Sequence, residues 1–220
     1  MPIVTIMMSA STVQDLMQAG FGLSVFKAVQ TTVNGAAPVV WMQTNQFLET
    51  MQVSWPDQYG AYISDSQIIP NAMIEAASQV AASLGEMVSV DGSGNLSVGG
   101  QGQPGAISIF NQATSQWTAG ICEVANGQFA PTVAMPLHGN FLDVVAPVEK
   151  VMLMFSTTPV NPGTVIFQSF ASGLFVDLTG GSDRQVTFDI NQGWNWGGAP
   201  WAQSVPPNSD LVPFLVAQSF

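Results

Sequence analysis

Three cationic side chains, Lys27, Lys150 and Arg184, stand against fourteen carboxylates in a chain of 220 residues. Charged residues make up only 8% of the chain and the formal net charge is −11, where soluble domains ordinarily carry about a quarter charged residues. Nucleic-acid binding needs Lys and Arg to displace counterions from phosphates, and three scattered cations cannot supply it. Docking to anionic lipid headgroups fails on the same ground. Disorder requires low hydrophobicity with high charge, and here apolar residues are 47% of the total. Such a chain must build a large core, and its length suits one β-rich domain over residues 1–220.

The pattern along the chain favours short strands. A helix is expected within Ser11–Val29, capped by Ser11 with Gln14 three positions on, and ended by Gly20 and Gly22. From Leu23 the period changes to strand-like alternation through Gln30. Asn34-Gly35 and Asn126-Gly127 are hairpin turn signals. Strands are expected at Val39–Met42, Met51–Trp55, Gly60–Ser64, Glu86–Val90, Asn95–Val98, Ala106–Phe110, Trp117–Val124 and Phe129–Met135. Further strands are expected at Lys150–Ser156, Thr164–Phe170, Leu174–Leu178, Gln185–Ile190 and Leu211–Ala217. Asn71–Leu84 is the other helical candidate, with Gly85 as its C-cap, and its Ala and Ser content also permits a poorly twisted strand. Together these predict an all-β fold: an antiparallel Greek-key sandwich or barrel with one or two short helices.

Catalytic constellations are missing. The one histidine, His138, lies in the loop-like Pro136–Asn140, and no nucleophile elbow accompanies it. The chain does not read as an enzyme. The one cysteine, Cys122, reads as a buried apolar residue, and Cys/His metal sites are excluded by count. Asp91, Ser93 and Asn95 lack the central glycine and closing glutamate of a calcium loop and read as a hairpin turn. No basic leader or apolar run of about 18 residues is present, so an intracellular protein is expected.

Six tryptophans and eleven methionines supply rigid flat faces and adaptable packing without charge. Trp194 and Trp196 would share one face of a strand, and Trp201 follows Gly197-Gly198-Ala199-Pro200, which has little bulk of its own. These three, with Trp117, His138 and Met154, are the candidate lining of an apolar cavity for a flat guest. In its acidic, charge-poor composition, its Trp/Met-rich interior and its Trp194–Trp201 segment, the chain resembles the pink chromoproteins of oyster mushrooms. That resemblance implies a fungal, all-β, non-enzymatic protein holding a hydrophobic, aromatic, indolone-type organic chromophore, and no metal. The alternatives are a pore-forming, membrane-active toxin that inserts Ser11–Val29, and a lectin using Trp194-Asn195-Trp196 as a sugar platform. A charge-poor exterior also predicts a homodimer.

Overall fold

A computed structural model describes residues 1–218. β1 (Ile3–Met7) and α1 (Ala10–Gln18) open the chain, followed by the long β2 (Gly22–Thr31). Next come β3 (Ala37–Pro38), β4 (Met42–Thr44), β5 (Thr50–Ser54) and β6 (Tyr59–Ser64). β7 (Ser78–Ala81), β8 (Glu86–Val90), β9 (Leu96–Gln101) and β10 (Ile107–Asn111) precede β11 (Trp117–Ala125). β12 (Gln128–Pro131) and β13 (Val133–Leu137) lead into the fifteen-residue β14 (Leu142–Ser156). β15 (Gly173–Asp177), β16 (Asp183–Asp189), β17 (Gly193–Asn195) and β18 (Ala202–Val205) follow. A single helical turn, α2 (Val212–Leu215), and β19 (Val216–Ala217) complete the order.

The fold is all-β, as the alternation and turn signals predict. The strands form sheets of four, nine and six, and among the described residues none closes into a barrel. Most pairings are antiparallel, but β1–β16, β8–β10 and β2–β19 run parallel. That departs from a purely antiparallel sheet. It needs no helical crossover for β1–β16, because nearly the whole chain serves as the connection.

Several expectations are corrected. Helix α1 is capped by Ser9, whose Oγ accepts the Thr12 N–H at 3.1 Å; Ser11 lies inside the helix. The helix does end ahead of Gly20, with Ala19 as its C-cap, and the strand expected from Leu23 is β2, in the middle of the nine-stranded sheet. Asn71–Leu84 is not helical: Met73 and Leu84 are exposed, and Ser78–Ala81 is a strand paired with β6. Thr164–Phe170 stays extended but meets its neighbours only through isolated bridges, and Leu211–Ala217 starts as a helical turn with Pro at its beginning. The Phe129–Met135 run divides at Thr132, whose N–H and hydroxyl both donate to the Ile121 carbonyl.

Asn34-Gly35 is a turn but not a hairpin, since β2 and β3 lie in different sheets, whereas Asn126-Gly127 is the hairpin expected. Asn126 and Gly127 have φ of 50° and 79°, the left-handed pair that a tight hairpin between β11 and β12 requires. Two long strands tie the interior together. β14 pairs with β2 along one edge, and with β10 and β15 along the other. Their alternating side chains feed different cores: Leu23, Val25, Val151, Leu153 and Phe155 pack around Trp41 and Trp55. Phe26, Ala28, Met152 and Met154 pack against Val40 and Ile166 on the other face. The β2–β14 register slips between Val148 and Val151, so Glu149 and Lys150 form a bulge beside Lys27. Pro147, which has no N–H to give, sits next to it, where prolines are tolerated. No described helix is long and apolar enough to cross a membrane.

Candidate functional site

Trp194, Trp196 and Trp201 come together, half-buried against the Trp41–Trp55 core. Trp194 stands opposite Phe188 and stacks on Phe155, with ring centroids 5.3 Å apart and planes 24° from parallel. The flat partner that the sequence leads one to expect for Trp194 is thus a side chain of the protein itself. The Arg184 guanidinium lies 5.2 Å from the ring of Trp201. The other three candidates lie apart. Met154 is fully buried in a different core, and His138 is exposed at a loop, edge-on to Phe141. Trp117 opens β11 and packs against a third core.

Trp117 is the candidate that borders an open cleft. The cleft measures about 440 Å³ and is lined by Trp117, Ile68, Ile69, Pro136, Gln116 and Ser66, among others. Two hydrogen bonds fix its walls: the Thr118 hydroxyl donates to the Ser66 carbonyl and the Ser64 hydroxyl to the Glu75 carbonyl, both at 2.6 Å. The Asp91–Asn95 turn supports the far side of the indole. Gly94 has φ of 78°, a conformation that strains any other side chain, and a Cβ there would crowd Trp117 Cη2 at 3.1 Å. The Asp91 carboxylate accepts the N–H groups of Ser93 and Asn95 and the Asn95 side-chain amide, which hold it below the usual carboxylate range. This is the hairpin turn the sequence predicts. Trp117 Nε1 is buried with no hydrogen-bond partner among the described residues. Ile69, at the rim, is 51% exposed.

A second centre escapes motif reading. Lys27 on β2 and Glu123 on β11 form an ion pair, Nζ to Oε2 3.1 Å, and neither side chain is exposed at all. Lys27 Nζ lies 3.8 Å from the centroid of Trp55 and 5.8 Å from that of Trp41. Trp41 Nε1 donates to the Glu123 main-chain carbonyl at 3.2 Å. The ion pair is not aligned as a hydrogen bond, and among the described residues Lys27 Nζ and both Glu123 carboxylate oxygens have no hydrogen-bond partner. Burial pushes the Glu123 carboxyl up, against the pull of Lys27, and the charges of Glu149 and Asp57 push the same way as burial. Across the β6–β11 pair, Tyr59 stands opposite Glu123; burial and then Glu123, Asp57 and Glu149 push its hydroxyl up. The one hint in the sequence is a lone charge inside each of two otherwise uncharged, largely buried strands.

Cys122, next along β11, is buried, and burial pushes its thiol up to about 12. Among the described residues no three His, Cys, Asp or Glu side chains gather as metal ligands. Comparison with protein-family models, curated proteins and solved structures gives no match.

Proposed function

We infer that the chain binds a flat, apolar organic molecule without catalysing a reaction, and that the cleft beside Trp117 seats it. The observation that carries this reading is the half-buried indole of Trp117 lining an open cleft together with Ile68, Ile69 and Pro136. A cleft of about 440 Å³ is the size that small organic ligands occupy. Each 100 Å² of apolar ligand surface covered contributes roughly 2.5 kcal/mol without any formal charge. A conjugated chromophore of the indolone type belongs to this ligand class. The polar rim of Asp65, Gln67 and Gln116 favours a second reading, a sugar stacked on the indole, which a glycan array tests.

The first test is the visible absorbance of the native protein together with organic extraction and mass analysis of what is released. The second is titration with Nile red, a neutral planar dye, read by quenching of tryptophan emission. Ile69→Asp, at an exposed position that leaves the core intact, is expected to weaken the dye at least tenfold, about 1.4 kcal/mol. A protein with no absorbing or extractable compound and no saturable dye binding refutes the reading.

A further inference from the structure

The geometry points to a covalent cross-link: an amide bond between Lys27 Nζ and the Glu123 side-chain carbonyl, formed by the folded chain on itself. Nζ stands 3.1 Å from Oε2, one bond from the carbon it would attack, and within the separation of reacting atoms that makes such a step effectively unimolecular. Neither group can exchange its partner for water, since neither is exposed. In water the ammonium and carboxylate forms resist condensation. Inside an apolar enclosure of Trp41 and Trp55, charges are costly and one proton transfer converts the pair to amine and carboxylic acid. Burial already pushes the Glu123 carboxyl in that direction.

The step balances within the pair. The Nζ lone pair forms the bond to the Glu123 side-chain carbon, and the bond from that carbon to one carboxyl oxygen breaks. That oxygen leaves as water with two of the three protons of the original ammonium. No oxidant, reductant or co-reactant is consumed. The proton that must pass from nitrogen to the departing oxygen moves within the pair itself, across the 3.1 Å between Nζ and Oε2. The product replaces two mismatched charges by a neutral amide that ties the nine-stranded sheet to the six-stranded one.

Electrospray mass measurement of the denatured full-length chain tests this directly. The expected mass is about 18 Da, one water, below that dictated by the sequence. Proteolysis is expected to yield one branched peptide joining Lys27 to Glu123. Lys27→Arg and Glu123→Ala restore the full mass whether or not they fold. Glu123→Gln, which reaches the same amide by releasing ammonia, reads about 17 Da below its own sequence mass. A wild-type chain at full mass, with both residues in linear peptides, overturns the proposal. So does a water loss that maps elsewhere, for instance to Asp91-Gly92.

Discussion

Tyr62→Phe removes one oxygen atom from the centre of the six-stranded sheet, and its consequence can be worked out. The Tyr62 hydroxyl donates to the Val133 carbonyl at 2.7 Å, and both residues are fully buried. The regular β11–β13 ladder covers Trp117–Ala119, and past it the Tyr62 hydroxyl takes up the Val133 oxygen. Gly120, opposite Tyr62 on β11, makes room: a Cβ there would collide with the Val133 carbonyl oxygen and lie 2.9 Å from Tyr62 Cε1. Phenylalanine fills the same space but strands a buried acceptor, which costs about 2 kcal/mol. For a chain of this length that lowers Tm by about 4–8 °C. Thermal and urea unfolding of the two proteins, followed by circular dichroism, measure it. Gly120→Ala is expected to cost at least as much, through overpacking against main chain, and Tyr62→Phe should not rescue it. A Tyr62→Phe protein within about 0.5 kcal/mol of wild type would show that the hydroxyl holds nothing, because a stranded carbonyl cannot be that cheap.

Ser9→Ala, which removes the α1 cap, is expected to cost about 1 kcal/mol in urea unfolding. Ser11→Ala, inside the helix, should stay within about 0.5 kcal/mol of wild type. Asp91, Asp177 and Asp189 are held below the usual carboxylate range; the stability they contribute is present above about pH 4 and is lost as pH falls through their folded values. Asn at position 91 or 189 should therefore flatten the acid limb of the urea midpoint plotted against pH. Burial pushes Asp143 the other way, against the pull of His138, so its contribution is lost as pH rises through its folded value. Asp143→Asn should gain stability at neutral pH and little near pH 4. The homodimer we propose from the charge-poor exterior would cover Phe141 and Leu142, 59% and 51% exposed; sedimentation should show a dimer that Phe141→Asp breaks, and a monomeric wild type refutes it.

Strands were the legible part of the sequence, because period-two alternation and Asn-Gly turns are local signals. Leu23–Gln30 and Gly60–Ser64 fall within β2 and β6, and Asn126-Gly127 turns where expected. The helical spacing of Met73, Ile74, Ala77, Val80 and Leu84 misled because pairing with β6 outcompetes a weak local preference, and only Ile74 of this set is fully buried. The tryptophan segment was legible as a cluster, since Trp194, Trp196 and Trp201 do share one core. Its occupant was not, because Phe155 arrives from a strand distant in sequence and takes the stacking place. Lys27 and Glu123 were invisible as a pair for the same reason: each strand looks ordinary until the sheets are laid together.

β2 and β14 run side by side through the molecule, and each sends side chains into three of its apolar cores. Separating this pair of strands therefore exposes these three cores to solvent at once. Amide hydrogens along Leu23–Val29 and Val151–Phe155 should consequently exchange only through global unfolding, with one shared protection energy, whereas the edge at Ser78–Ala81 exchanges by local fraying.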